Sequence, residues 1–249
     1  MIAFYEHEPA GARKMEIIKD ILEKEEENKG KKLRVLDVGC GDGHLSAYMA
    51  SLGHQVSAID TDASAIETAK SLYNNVNFLN SDLSVVKDKF DVVTAFEVCE
   101  HVPDEKNFTE QMREKLSENG LLVISVPNGW SLEEIVRRFL QNSSVGRSIK
   151  NWMRKKNVLP KSESQTHADS PHVHFWRYYT WKKNFARNNF KFLCSWNVSL
   201  FFKQLYYLGF RRFLKPAGAV FKFLDKFDGK IVNLFPSWMV DGWLMTFRK

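Results

Sequence analysis

Two clusters in this 249-residue chain carry residue types and spacings suited to chemistry. The first is Asp37-Val38-Gly39-Cys40-Gly41-Asp42-Gly43, a D-x-G-x-G-x-G run directly after the apolar stretch Leu33-Arg34-Val35-Leu36. Glycines at alternate positions let a backbone turn tightly and approach a ligand where a Cβ would obstruct it. The run reads as the turn of a nucleotide-like cofactor site. Asp60 closes Gln55-Val56-Ser57-Ala58-Ile59-Asp60, at about the distance past the first glycine where nucleotide-binding folds set a carboxylate against ribose hydroxyls. The second cluster is Phe96-Glu97-Val98-Cys99-Glu100-His101-Val102-Pro103-Asp104. An imidazole titrates near about 6.5, so His101 is placed to take a hydroxyl proton near neutrality. Glu97, Glu100 and His101 also form E-x-x-E-H, a set of oxygen and imidazole donors that permits a divalent ion.

Positioning these clusters requires a regular train of elements. Strands are expected at 33–36, Gln55–Asp60, Val76–Leu83, Phe90–Phe96 and Gly120–Pro127, with helices between them at Leu45–Ser51, Ala63–Leu72 and Phe108–Leu116, the last closed by Asn119-Gly120. An earlier helix presents Ile17, Ile18, Ile21 and Leu22 on one face and leads into a solvated charge run from Glu23 to Lys32. Strands alternating with helices imply an α/β fold with a doubly wound parallel sheet, whose ligand lies at the carboxyl ends of the strands.

The glycine spacing departs from a dinucleotide G-x-G-x-x-G, because the third glycine comes one residue early and an acid precedes the first by two. This run resembles motif I of the class I S-adenosylmethionine (SAM) methyltransferases. The segment from Glu97 to Asp104 is similar to the E-V-L-E-H-V-P-D segment of their small-molecule branch, which includes the ubiquinone-pathway O-methyltransferases, with Cys99 where an apolar residue is usual. The resemblance implies SAM as cofactor and a Rossmann-like seven-stranded sheet with an antiparallel last strand. It also implies roles: Asp37, Gly39, Cys40 and Gly41 at the methionine end, Asp60 and Thr61 at the ribose, Asp82 and Leu83 at the adenine, and Glu97 at the start of the wall towards the acceptor. His101 and Glu100 are the catalytic candidates. His174, in a segment approximating the branch's H-x-x-x-[FY]-T, joins them near the substrate mouth, with His172, Tyr178 and Tyr179 nearby.

The E-x-x-E-H spacing also resembles the metal motif of small-RNA 3′-terminal 2′-O-methyltransferases. No resident metal is expected, and Glu97, Glu100, His101 and His174 are the alternative ligand set. A metal-dependent RNA 2′-O-methyltransferase and a non-catalytic SAM-binding partner are the competing functions. Methyl transfer from a sulfonium is a direct displacement, so the protein's task is alignment, exclusion of water and deprotonation of the acceptor.

Charge divides the chain. Residues 1–127 carry 14 Lys/Arg against 23 Asp/Glu, residues 128–249 carry 22 against 7, and all seven tryptophans lie in the second part. Three regions follow: an N-terminal helical segment (1–32), a SAM-binding core (33–127) and a substrate or cap region (128–249) that holds the final strands, expected at Phe192–Phe202 and Trp243–Arg248, around a helical basic and aromatic insertion. That half is suited to a small-molecule or lipid-linked acceptor and to an anionic membrane surface, with nucleic acid the less favoured partner. Leu132, Ile135, Val136, Phe139 and Leu140 form a helical stripe beside Arg137 and Arg138, a second apolar and basic stretch runs from Phe201 to Phe227, and 142–170 reads as a long loop. Cys40, Cys99 and Cys194 lack metal or disulfide spacing, which suggests a reducing cytoplasm. No apolar run reaches the ~20 residues of a spanning helix, so membrane contact would be peripheral.

Overall fold

The structure, a computed structural model, describes residues 10–131, 139, 143–155, 173–200, 202 and 218–249. Seven strands form one sheet: β1 (Arg34–Val38), β2 (Gln55–Asp60), β3 (Asn77–Asn80), β4 (Phe90–Phe96), β5 (Leu116–Pro127), β6 (Lys191–Asn197) and β7 (Gly242–Arg248), in the order β3-β2-β1-β4-β5-β7-β6. The first five are parallel, and β7 runs antiparallel between β5 and β6. This is the Rossmann-like, doubly wound α/β arrangement with an antiparallel last strand. The strand order reverses between β1 and β4, where such sheets open a crevice at their carboxyl edge. Both chemical clusters begin there.

Burial explains the central strands. β4 buries six of its seven residues and β7 does the same, as strands covered on both faces must. Helices α1 (Gly11–Lys29), α2 (His44–Ser51), α3 (Ala63–Leu72) and α4 (Glu105–Lys115) surround them. The Asp62 carboxylate caps α3 by accepting the N–H of Ser64 and Ala65, and Asp104 caps α4 by accepting that of Asn107. In α1, Ile17, Ile18, Ile21 and Leu22 pack in one core with Leu33, Val35, Val92 and Leu244. Each such side chain contributes roughly 1.5–3 kcal/mol on full burial.

Several boundaries differ from the sequence expectation. The charge run is not wholly solvated: α1 continues to Lys29, and Glu25, 3% exposed, receives two hydrogen bonds from Arg248 at 2.7 and 2.9 Å. β3 stops at Asn80 rather than Leu83, because the Asp82 carboxylate accepts the N–H of Ser84 and forms a turn. α4 starts three residues earlier than expected, at its Asp104 cap, and gives way at once to β5 at Leu116, with Asn119 in the left-handed region at φ 54°. β6 ends at Asn197 rather than Phe202, since Ser199, Leu200 and Phe202 are drawn to the Asp228 carboxylate.

Part of the expected loop at 142–170 is instead α5 (Ser144–Lys155). α6 (Tyr178–Arg187) and α7 (Ala219–Ile231) complete the helices among the described residues, and none of these is long and apolar enough to cross a membrane. The stripe Leu132–Leu140 lies outside the described residues except for Phe139, as does the stretch 201–217 except for Phe202.

Candidate active site

The glycine turn joins β1 to α2. Gly39, Gly41 and Gly43 all take left-handed φ values, of 71°, 53° and 80°. Their surroundings differ. A Cβ on Gly39 would stand 2.5 Å from a Val98 methyl and one on Gly43 would stand 2.6 Å from the Phe78 ring, whereas a Cβ on Gly41 would meet nothing within 4 Å. Two glycines therefore let the turn pack, and the third opens outward. The backbone N–H groups of Gly39 and Cys40 donate to the Ile59 carbonyl at 2.8 and 3.1 Å, which ties the turn to β2.

Asp60 reinforces that tie. Its Oδ2 accepts the N–H of Gly41 at 2.8 Å and its Oδ1 accepts that of Asp62 at 2.9 Å, so one carboxylate joins the turns after β1 and β2. Each oxygen retains a lone pair for a ligand hydroxyl. Asp37 sits beneath, 2% exposed, accepting Ser46 Oγ at 2.6 Å and Thr94 Oγ1 at 2.7 Å. Burial pushes its carboxyl up to about 6 against those two hydrogen bonds, and the charge of Asp60 adds to the rise. The Cys40 thiol is likewise pushed up by burial and by Asp37 and Asp60. Thr61 is exposed. Asp82 is exposed and held below its ordinary range by Ser84, while the Leu83 side chain is buried in the main core, leaving its backbone as the part offered to a ligand.

The acidic turn follows β4. Glu97 is left-handed at φ 54°, an uncommon conformation for a residue with a side chain. Its N–H donates to Ser125 O and Oγ, and its Oε1 accepts both Ser125 Oγ and Lys14 Nζ at 2.8 Å. Lys14 comes from α1 and is 6% exposed. Neither Lys14 nor Ser125 was expected at the site. A signal for Lys14 existed, since it stands at i relative to Ile17, Ile18 and Ile21 at i+3, i+4 and i+7, a cation on the apolar face.

Past Glu97, the His101 N–H donates to the Val98 carbonyl at 2.9 Å, closing a turn that places His101 Nε2 3.8 Å from Glu100 Oε1. Glu100 and Cys99 are fully buried, and burial raises the thiol of Cys99. The segment entering α6 docks on this turn. The N–H groups of Val173 and His174 donate to the Glu100 carbonyl at 2.8 and 3.1 Å, His174 Nε2 lies 2.9 Å from the Val102 carbonyl, and its ring packs on Trp176 with centroids 4.2 Å apart. His174 is thus brought to the acidic turn from 72 residues away. His172 lies outside the described residues. Tyr178 meets Ser195 Oγ at 2.8 Å, and Tyr179 is exposed. Among the described residues no three His, Cys, Asp or Glu side chains group closely enough to hold a metal ion. Glu97 directs Oε1 to Lys14 and Ser125, so the alternative ligand set does not converge.

A sheet of this order with a glycine turn after β1 and an acidic turn after β4 is the architecture of a class I methyltransferase domain. A family model described as a methyltransferase domain matches residues 6–195, and the chain belongs to that family. Among curated proteins it is similar to the mitochondrial ubiquinone biosynthesis O-methyltransferase of Schizosaccharomyces pombe, at 41% identity over 101 residues covering 37% of each chain. It is also similar to the ubiquinone biosynthesis O-methyltransferase of Rickettsia canadensis, at 33% identity over 138 residues, covering 53% of this chain and 58% of that one. The matches thus span from 37% to 58% of these relatives' lengths.

Among solved structures, the magnesium protoporphyrin IX methyltransferase of Synechocystis with bound S-adenosylhomocysteine shares the fold at TM-score 0.55 and 14% identity, covering 97% of this chain and 85% of that one. The 1,6-didemethyltoxoflavin-N1-methyltransferase of Burkholderia thailandensis shares it at TM-score 0.53 and 17% identity, covering 94% and 77%.

Proposed function

We propose that the chain is a SAM-dependent methyltransferase that methylates a hydroxyl of a small-molecule or lipid-linked acceptor. The observation that carries this reading is the contact between the two clusters: Val98 of the acidic turn packs against Gly39 of the glycine turn, so a cofactor on one lies beside an acceptor on the other. The similarity to ubiquinone biosynthesis O-methyltransferases supports a hydroxyl acceptor.

The residues present suit SAM. Gly41 opens the turn towards the methionine end while Gly39 and Cys40 hold that turn on β2, Asp60 and Thr61 would take the ribose, Asp82 and the Leu83 backbone the adenine, and Glu97 would begin the wall towards the acceptor. Asp37 acts through Ser46 and Thr94 by holding the turn in shape. When bound, SAM supplies a methyl group already activated on a sulfonium. His101 would accept the proton of the acceptor hydroxyl as that oxygen takes the methyl group. Glu100 stabilises the resulting imidazolium, and His174 fixes the turn through the Val102 carbonyl. The protein would work in the cytoplasm.

Transfer of tritium from methyl-labelled SAM, with lipid extract and total RNA as separate acceptors, tests the reading. Label in an organic-soluble product, lost with His101→Ala, is the expected result. Label confined to RNA would favour the RNA enzyme, and SAM binding without transfer would favour the non-catalytic partner.

A further inference from the structure

Between residues 219 and 239 the chain sorts its charges by side. Both acids turn inward: Asp225 accepts the N–H of Ala10 at 2.6 Å, and Asp228, 2% exposed, accepts Ser199 Oγ at 2.7 Å and the N–H groups of Leu200 and Phe202. Lys222, Lys226 and Lys230 are all exposed. Beside them, at i, i+3 and i+7 of α7, stand Val220, Phe223 and Phe227, also exposed, with the two phenyl rings stacked on each other at 6.3 Å. Phe221, on the opposite face, packs against Phe202 and is 1% exposed. The helix therefore already has its core face, and the outward apolar stripe is a second one. Leu234 (80% exposed), Trp238 (67%) and Met239 continue it beyond the helix.

This surface borders the site. Ala10, bonded to Asp225, is one helical turn before Lys14, which holds Glu97. The Trp238 carbonyl accepts from Asn128 Nδ2, immediately past the carboxyl end of β5. α5 repeats the pattern, with Val145, Ile149 and Trp152 exposed at i, i+4 and i+7 beside Arg147 and Lys155 and no acid between 143 and 155. Large apolar side chains flanked by lysines, with a tryptophan among them, are the composition of a helix lying in a bilayer interface. A strand of nucleic acid would use aromatic stacking faces, whereas Val220, Leu234 and Met239 in this stripe are aliphatic and offer none.

We propose that α7 and the segment after it dock the protein on an anionic lipid surface, with Phe223, Phe227, Leu234 and Trp238 entering the headgroup region and Lys222, Lys226 and Lys230 meeting lipid phosphates. Its links through Ala10 and α1 to Glu97, and through Trp238 to the end of β5, would bring a lipid-borne acceptor towards the site. Only that last consequence rests on the methyltransferase reading, and docking is measured without substrate.

The test is flotation of the full chain with phosphatidylcholine vesicles and with vesicles holding about one third phosphatidylglycerol, at low and high salt. The expected result is binding to anionic vesicles at low salt and release at high salt. Phe223→Ser/Phe227→Ser and Lys222→Glu/Lys226→Glu should each lower partitioning at least tenfold, at about fivefold or more per lysine, with unchanged melting temperature. No binding to anionic vesicles, equal binding by these variants, or binding to RNA in place of vesicles overturns the proposal. Vesicle binding by a chain that fails to bind SAM would uphold docking while refuting the methyltransferase reading.

Discussion

The ammonium of Lys14 and the carboxylate of Glu97, 83 residues apart, form an ion pair of 2.8 Å that fastens the first helix to the carboxyl end of β4. Lys14 is nearly sealed from water while Glu97 keeps about a third of its side-chain surface exposed, so the bond is neither a surface pair of little consequence nor a fully desolvated one. Lys14→Met should lower stability by about 1–3 kcal/mol, read from the denaturation midpoint, and Lys14→Arg should recover part of it. An unchanged midpoint for Lys14→Met would contradict this account of the helix.

Gly39 and Gly41 should fail differently. Gly39→Ala drives a Cβ into Val98 and should destabilise the fold, with partial recovery in Gly39→Ala/Val98→Ala. Gly41→Ala has space for its Cβ and costs about 1–2 kcal/mol of left-handed strain, so it should fold and yet bind SAM at least tenfold less tightly. Thermal melts beside SAM titrations separate the two.

Asp37 sets a pH dependence. Its folded-state carboxyl lies at about 6, above its ordinary 3.8, so the folded chain binds the proton more tightly than the unfolded one. The contribution of this residue to stability should therefore rise as pH falls from about 6 towards 3.8, and remain at its lower value above pH 6. Asp37→Asn should remove this trend, visible as the difference between the two melting curves over that window. A difference that grows with the opposite sign would refute the burial argument.

His101 and His174 divide along another line. His101→Ala should reduce kcat by roughly 10²–10⁴ with little change in SAM affinity. His174→Ala loses its hydrogen bond to the Val102 carbonyl and should alter acceptor KM more than kcat. Because Glu97 is held by Lys14 and Ser125, EDTA should leave turnover unchanged.

The sheet and the cofactor turn were legible because their signals are local: glycines at alternate positions, apolar runs of strand length, and an acid closing β2. What escaped notice depends on distant partners. Lys14 stands out as a cation on an apolar helix face, but its partner Glu97 lies 83 residues away, just past β4. The end of β6 depends on Asp228, and the depth of Glu25 on Arg248. The apolar pattern of α4 begins at Phe108, whereas the helix itself begins three residues earlier, where the Asp104 carboxylate accepts the N–H of Asn107. His174 could be named from its segment, but its attachment to the Glu100 carbonyl is a contact across 74 residues that spacing does not encode.

Isothermal titration with SAM and with NAD, on the unaltered chain and on Asp60→Ala, tests the central claim most directly. The account predicts one SAM bound per chain, at least tenfold weaker binding without the Asp60 carboxylate, and no heat from NAD. Binding of NAD without SAM, or SAM affinity indifferent to Asp60, would contradict it.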